Sequence, residues 1–319
     1  MAQQEETPVD EAQVVVGAGP IGSAVALQLA EQWVSVRLLT RSGSGPDHPR
    51  ITRQAVDAND ADALIAATAD AAVIYNCVNP PYHRWPTDWP PIAANLLAAA
   101  HHSGAVLATA SNLYGYGPVS QDMTEDLPLA ATGSKGKVRA QMWQDALAAH
   151  QAGTVIAVEV RGSDYVGAGA QSHLGERAIP PILAGKTVRV LGNPDQLHTF
   201  TYTQDMARTL IAAASDSQAW GRAWHAPSNP PRTQREALAD VARVAGVAPP
   251  KVKSLSPALL KVAGLFNPTI RELAEVQYQF TNRFVMDSGA AQEQFDLAPT
   301  PWDQVLADAV RSFGGTPVV

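Results

Sequence analysis

A glycine-rich turn between an apolar strand and a helix constrains this chain more than any other feature. Gly17, Gly19 and Gly22 have the GxGxxG spacing. In such a turn the first glycine permits the tight bend, the second lets the backbone approach a pyrophosphate, and the third lets helix and strand pack closely. The turn therefore predicts a dinucleotide site that includes Pro20 and Ile21; the alternative is a glycine turn without a ligand.

Composition narrows the class of protein and its partners. The 319 residues are 46% hydrophobic and 17% charged, which suits a globular α/β core. A net charge of -7 opposes a nucleic-acid-binding face. Cys77 is the single cysteine, so a disulfide framework is excluded, and no zinc-ligand spacing is present. The most lipophilic run of the first half, residues 92–100, is too short to cross a bilayer. We expect a cytoplasmic protein without a metal, nucleic-acid or membrane partner.

Strands and helices alternate six times in the first half of the chain, which indicates a parallel sheet covered on both faces. We therefore predict an α/β fold of Rossmann type, a doubly wound parallel sheet with a smaller C-terminal substrate lobe. Residues 1–11 are expected to form a flexible tail and residues 12–161 the dinucleotide-binding core. Residues 162–319 are expected to hold the substrate lobe and returning core elements.

A stretch rich in proline and aromatic residues follows the fourth predicted strand. Its four prolines predict an irregular loop over Asn79–Pro90, with a helix over residues 91–103. In doubly wound folds, ligands bind at the carboxyl ends of strands, where this loop lies. Tyr82, Trp85 and Trp89 are therefore candidates for a substrate wall; the alternative is a structural loop packed on the sheet.

The end of the second predicted strand bears on the type of cofactor. A site that prefers NAD usually has an acidic residue about 20 residues after the glycines. Thr40, Arg41 and Ser42 occupy that place here, and a cation with hydroxyl groups suits a 2′-phosphate. We therefore predict NADP; NAD stays possible if Arg41 is only a solvated loop residue.

The order of the motifs resembles the extended short-chain dehydrogenases/reductases, and within them the NAD-dependent epimerase/dehydratase family in its atypical subgroup. The resemblance spans about residues 12–315. It rests on the glycine turn, on Ser111–Pro118 with its Tyr-Gly signature, on Arg161–Gly167, and on His198–Ala207 leading into an Asp-Xaa-Ala helix. It implies a Rossmann fold and hydride transfer to or from a small alcohol, a ketone or a nucleotide-sugar-like substrate.

The resemblance also implies roles for individual residues of the cofactor site. Asp57 and Ala58 would lie against the adenine. Asn76, Cys77 and Val78 would line the cofactor groove.

The catalytic pair of that family, Tyr-x-x-x-Lys, is incomplete in this chain. Ser111 or Asn112 would lie near the reacting carbonyl, and Lys137 or Lys135 would hold the nicotinamide ribose. Gly133 stands four residues before Lys137 and Ala131 four before Lys135, so neither register supplies a tyrosine. Neither glycine nor alanine can exchange a proton with an alcohol.

Three ways to replace the tyrosine stay open. Tyr114 or Tyr116 would reach the substrate, Tyr82 or Tyr165 would supply the phenol, or the site transfers no proton. We select Ser111, Tyr114 and Lys137 as catalytic candidates. The candidate substrate contacts are Tyr82, Trp85, Tyr165 and His198.

Two other functions are compatible with the sequence. The chain would be a non-catalytic NADP-binding sensor or scaffold, or a redox-neutral isomerase with a permanently bound cofactor. The identity of the substrate is not encoded in any motif, and the sequence is compatible with a homodimer.

Overall fold

The computed structural model of the chain describes residues 12–170, 172–255 and 275–318. The tail predicted for residues 1–11 lies outside the described residues, and so does the part of the predicted lobe between residues 256 and 274. The division at residues 161 and 162 stays a prediction.

A seven-stranded parallel sheet forms the centre of the molecule, with the strand order β11-β6-β5-β4-β1-β2-β3. The order reverses between β1 and β4, which places a crevice at their carboxyl ends. The predicted doubly wound sheet is therefore confirmed. Its strands are β1 (Ala12–Val16), β2 (Val36–Thr40), β3 (Ile51–Ala55), β4 (Ala71–Asn76), β5 (Val106–Asn112), β6 (Ile156–Gly162) and β11 (Ala223–His225).

Helices cover both faces of this sheet because its strands are apolar on both sides. One face packs on α1 and α6, through side chains such as Val25 and Leu210. The other packs on α2, α3 and α4, through side chains such as Leu64 and Leu96. These helices are α1 (Pro20–Glu31), α2 (Ala61–Thr68), α3 (Trp85–Ser103), α4 (Ser134–Gln151) and α6 (Thr203–Ser215).

Short elements of the second half pack around a separate apolar cluster that includes Val188, Leu238 and Leu306. A capping box between Thr233 and Glu236 starts its helix α7, as the sequence predicts. The strands are β7 (Asp164–Val166), β8 (Val188–Leu191), β9 (Leu197–His198), β10 (Phe200–Tyr202), β12 (Arg232–Thr233) and β13 (Val252–Leu255). The helices of the second half are α5 (Ile179–Leu183), α7 (Gln234–Val244), α8 (Tyr278–Thr281), α9 (Gly289–Phe295) and α10 (Trp302–Ser312), of which α9 packs instead on the core of the central sheet through Ala291.

The prediction of an irregular loop up to Pro90 was wrong for its second half, because α3 already begins at Trp85. Pro86 lies in the first turn, where a missing N–H costs no hydrogen bond. Pro90 and Pro91 are inside the helix but exposed, so the carbonyl groups they leave unpaired can bond water. Burial of the Trp85 indole in the core helps to hold this first turn.

Candidate functional site

The glycine turn is tight against the sheet and open on its other side. Gly17 has a φ of +102°, and a Cβ there would lie 2.6 Å from the carbonyl oxygen of Cys77. A Cβ on Gly22 would lie 1.9 Å from the carbonyl oxygen of Gly17. A Cβ on Gly19, in contrast, would have no atom within 4 Å. Two glycines are therefore required by packing, while the third leaves free space at the N-terminus of α1, which fits a dinucleotide pyrophosphate.

A cavity of about 430 Å³ opens at this turn and continues between β5, β7 and α4. Many residues selected from the sequence line it, and they are Gly19, Pro20, Ile21, Cys77, Val78, Tyr82, Trp85, Ser111, Tyr114 and Tyr165. The other selected residues lie outside the lining, and they are Gly17, Gly22, Thr40, Arg41, Ser42, Asp57, Ala58, Asn76, Lys137 and His198. Trp89 is also outside it, because its ring is fully buried in the core.

The selected residues at the ends of β2 and β3 form a polar edge beyond the cavity. Thr40 donates its hydroxyl to the carbonyl of Ser44 at 3.0 Å, and the side chains of Arg41 and Ser42 are exposed. Hydrogen bonds from Asn59 lower the pKa of Asp57, and the charge of Arg41 adds to this effect. A cation and a carboxylate thus lie near each other here. Ala58, next along the chain, is buried.

The residues after β4 form an uncharged wall. The side-chain oxygen of Asn76 accepts a hydrogen bond from the Val78 amide at 3.3 Å. Burial raises the pKa of the Cys77 thiol to about 12, so this cysteine is not a nucleophile at neutral pH.

The three cations at the start of α4 lie on two different sides of the helix. Lys137, selected to hold the ribose, is exposed, because positions two apart lie on different sides of a helix. Lys135 and Arg139 are four residues apart and both are buried. Lys135 Nζ lies 3.2 Å from Glu275 Oε2 and 4.8 Å from the centre of the Tyr82 ring.

Arg139 lines the cavity and is the main residue that the sequence reasoning missed. Its guanidinium lies 4.5 Å from the ring centres of both Trp85 and Trp89, which partly compensates its burial. A signal was present, since Lys135 and Arg139 have the four-residue spacing of Tyr-x-x-x-Lys. In that register Lys135 stands where the tyrosine would, and Arg139 where the lysine would.

None of the three cavity tyrosines selected from the sequence has the lowered pKa that a proton-transferring phenol needs. Burial raises the pKa of Tyr82, Tyr114 and Tyr165. Tyr165 also donates its hydroxyl to the carbonyl oxygen of Ser111, which fixes its proton. The phenols at this cavity therefore stay protonated near neutral pH.

Several buried polar atoms at or just behind the cavity have no hydrogen-bond partner within the described part of the chain. We call the residues that carry them the open wall, and they are Tyr82 (Oη), Arg139 (Nε and Nη1), Ser163 (Oγ), Asp164 (Oδ2) and His198 (Nε2). Buried polar groups are nearly always paired in native proteins. A cluster of unpaired atoms around one cavity therefore indicates a site for a polar ligand.

Asp164 is the second residue that the sequence reasoning missed. It lines the cavity, and its Oδ2 lies 3.6 Å from His198 Nε2. Burial raises the pKa of Asp164 to about 7 and lowers that of His198 to about 4. The site thus contains a carboxyl group that exchanges its proton near neutral pH.

Neither a metal-binding cluster nor a membrane-spanning helix is found among the described residues. In residues 12–170, 172–255 and 275–318, no three His, Cys, Asp or Glu side chains are grouped so that they would hold a metal ion. No helix in those same ranges has the length and apolar character needed to cross a membrane.

Comparison with known proteins gives a family match over most of the chain. The family described as "NAD dependent epimerase/dehydratase family" matches residues 13–224. A search of curated protein sequences finds no match.

Solved structures with this architecture include several epimerases and dehydratases. UDP-glucuronic acid 4-epimerase from Bacillus cereus, in complex with UDP-glucuronic acid and NAD, superposes with a TM-score of 0.78 at 18% identity, covering 95% of this chain and 99% of that one. dTDP-glucose 4,6-dehydratase from Bacillus anthracis, in complex with NAD, has a TM-score of 0.75 at 18% identity, with 95% and 96% covered. Epimerase Mth375 from Methanothermobacter thermautotrophicus has a TM-score of 0.79 at 16% identity, with 95% and 92% covered. At these identities the likeness establishes a shared fold.

Proposed function

This chain belongs to the NAD dependent epimerase/dehydratase family, and from that premise we propose that it is an NADP(H)-dependent oxidoreductase or epimerase. One observation carries the proposal. The cavity begins at the open side of the glycine turn and ends among buried polar atoms that have no partner in the described chain. A dinucleotide at the turn and a polar substrate at the open wall would satisfy both ends.

The cofactor would be held by residues along the carboxyl edge of the sheet. Backbone amides from Gly19 to Ile21 would bind the pyrophosphate, since they start α1 beside free space. Arg41, with the hydroxyl groups of Thr40 and Ser42, would bind a 2′-phosphate. Arg139, whose Nε and Nη1 hydrogens are unpaired, would donate to the ribose hydroxyl groups in place of a lysine. When bound, the nicotinamide would accept or return hydride at its C4.

The substrate would be a nucleotide sugar or a related small alcohol or ketone. Two of the similar structures contain UDP-glucuronic acid, bound to the epimerase from Bacillus cereus and to MoeE5. Ser111 would donate a hydrogen bond to the reacting oxygen, because it ends β5 inside the cavity. Tyr82, Trp85 and Tyr114 would form an aromatic wall, with ring centres 5.1–6.3 Å apart.

Binding of the two dinucleotides to the purified protein tests this proposal. Isothermal titration calorimetry should give saturable binding of both, with NADP the tighter ligand. Incubation with NADP and UDP-glucuronic acid or UDP-glucose should then produce absorbance at 340 nm or an epimerised sugar. Absence of any dinucleotide binding would contradict the proposal.

A second function is favoured by the raised pKa of the cavity phenols. Without a tyrosine able to lose its proton, the chain would bind NADP as a sensor and transfer no hydride. Binding of NADP with no turnover across a broad panel of alcohols, ketones and nucleotide sugars would favour this function.

A further inference from the structure

Asp164, which is partly buried, and the buried His198 form a pair at the cavity that the cofactor contacts do not use. Resting on the proposed function, we propose that Asp164 is the proton-transferring residue of this site and that His198 is the positioning residue that holds its proton. The pair would take over the task of the missing tyrosine.

The backbone holds the Asp164 carboxyl in a defined place. Asp164 begins β7 and pairs with Phe200 of β10 in a parallel register. The preceding residue, Ser163, donates its amide to Thr201 Oγ1 at 2.9 Å. The Asp164 side chain is 17% exposed, and its Oδ2 is buried without a hydrogen-bond partner in the described chain. Asp164 therefore lines the cavity from a backbone position fixed by strand pairing, with its buried Oδ2 on the side of His198.

The tautomer of His198 follows from its second contact. His198 Nδ1 lies 3.2 Å from the carbonyl oxygen of Gln279, which can only accept, so Nδ1 carries the hydrogen. Nε2 then presents a lone pair toward Asp164 Oδ2 at 3.6 Å. The imidazole is also stacked on Phe280 and Phe284, with ring centres 5.3 Å away in both cases. A lone pair in this place disfavours a carboxylate and can accept the O–H of the carboxylic acid.

The other groups around Asp164 leave the pair able to exchange a proton near neutral pH. Burial raises the pKa of Asp164 to about 7, and the charge of Arg177 opposes this effect. His173, close to His198, is neutral because burial lowers its pKa to about 3. Tyr82 and Tyr114 feel the charge of Asp164 and stay protonated. Among these residues, the carboxyl has the pKa that general acid–base catalysis requires.

The proton step is balanced as follows. In the oxidative direction the substrate O–H bond breaks and its proton forms an O–H bond on the Asp164 carboxylate. The electron pair of that bond completes a C=O double bond, while the carbon gives up hydride to the oxidised nicotinamide dinucleotide of the proposed function. His198 Nε2 accepts a hydrogen bond from the protonated carboxyl and does not take the proton itself, since burial lowers its pKa to about 4. Reduction reverses each step.

Infrared difference spectroscopy tests whether Asp164 exchanges a proton. Spectra of the full chain minus D164N, recorded from pH 5 to 9, should show a carboxylic-acid C=O band with a midpoint near 7, the pKa of Asp164. H198Q, whose amide can donate to the carboxylate, should move that midpoint down by about one pH unit, which a purely structural role would not do. A carboxyl group that is fully ionised at pH 5 would overturn the proposal.

Turnover and binding supply the second readout. With NADP and UDP-glucuronic acid as the probe pair, D164N should lower kcat about 100-fold or more and change the Kd for NADP less than about twofold. The matched control D195N removes an exposed carboxylate that pairs with Arg235 and should leave both unchanged. Wild-type kcat and pH profile in D164N would overturn the inference. Failure of the wild type to bind NADP would contradict the proposed function instead, and the infrared midpoint would still decide whether Asp164 can act as acid and base.

Discussion

Two buried arginines of this molecule have opposite surroundings. Arg161 donates to Glu159 Oε1 and to Tyr116 Oη, both at 2.6 Å, and Tyr116 in turn bonds His225 Nε2 at 2.8 Å. We call these four residues the closed network. Arg139 of the open wall is equally buried, yet its Nε and Nη1 have no hydrogen-bond partner in the described chain. Burial alone thus does not separate the two.

The difference separates a structural role from a binding role. Burial would lower the pKa of Arg161, but the charges of Glu159 and Tyr116 outweigh it and the pKa is raised. Burial does lower the pKa of Arg139, and the charge of Glu159 only partly offsets this effect. A guanidinium left unpaired in a low-dielectric place costs stability unless a ligand completes it. The closed network stabilises the fold, whereas the open wall is available for binding.

The largest expected effect comes from substituting the two arginines by an apolar residue of similar length. R161M leaves Glu159 buried without its partner and should lower the free energy of unfolding by about 3–5 kcal/mol. R139M removes a guanidinium whose Nε and Nη1 lack hydrogen-bond partners in the described chain, and it should change the free energy of unfolding by less than about 1 kcal/mol while weakening NADP binding at least about tenfold. Urea unfolding at pH 7 and calorimetry measure the two quantities. Equal destabilisation by both substitutions would show that the two sites do not differ.

Asp164 should make stability depend on pH in a direction unusual for a carboxyl group. Its pKa of about 7 in the fold exceeds the ordinary value near 4, so its contribution is full at low pH and is lost as pH rises to 7. The unfolding free energy of the wild type relative to D164N should therefore fall by about 2–3 kcal/mol between pH 5 and 8. The opposing effect of His225, whose pKa is lowered by burial, is present in both proteins and cancels. If the difference in unfolding free energy between the wild type and D164N does not change between pH 5 and 8, the Asp164 carboxyl is solvated and its pKa is not raised.

Removal of one tyrosine hydroxyl from the closed network and one from the open wall extends the stability comparison to uncharged groups. Y116F leaves Arg161 Nη1 and His225 Nε2 unpaired and should cost about 1–3 kcal/mol in unfolding free energy. Y82F removes a buried hydroxyl that has no partner in the described chain and should leave stability unchanged or higher. Thermal and urea unfolding compare the two, and a Y82F protein as unstable as Y116F would count against the open wall.

A smaller effect is expected at the exposed edge of the site. R41A should raise the Kd for NADP about tenfold, or about 1.4 kcal/mol, and change the Kd for NAD less than twofold. Arg41 is exposed, so its removal leaves no buried charge behind and should not alter the unfolding free energy. Calorimetric titration with each dinucleotide gives the Kd for NADP and the Kd for NAD, and their ratio is compared between R41A and the wild type. An equal loss for NAD and NADP would show that Arg41 does not select the 2′-phosphate.

The sequence predicted the elements whose signals are local. Apolar strands alternating with helices predicted the parallel sheet, and the Thr233–Glu236 spacing predicted the start of α7, because each depends on neighbours in the chain. The start of α3 at Trp85 was missed, since its stability comes from burial in the core and overrides the prolines.

The inner end of the site was only partly predicted from the sequence, because its two main polar residues, Arg139 and Asp164, depend on tertiary packing. Arg139 belongs to a helix start with three cations, which is typical of a solvated face, and only packing against Trp85 and Trp89 turns it inward. Asp164 and His198 are brought together by the pairing of β7 with β10, two strands separated by 33 residues between Val166 and Phe200. Long-range contacts of this kind leave no periodic signal.

Calorimetric titration of NADP into the wild type and G19V tests the central claim most directly, namely that the open side of the glycine turn holds a dinucleotide. A side chain on Gly19 meets no atom of the protein within 4 Å of its Cβ, so G19V should unfold at the wild-type temperature. G22A is the matched control, because its Cβ would lie 1.9 Å from the Gly17 carbonyl and should lower stability. We predict saturable binding to the wild type and a loss of at least about 100-fold in G19V, or about 2.7 kcal/mol. Wild-type affinity in G19V, or no binding to either protein, would contradict the account.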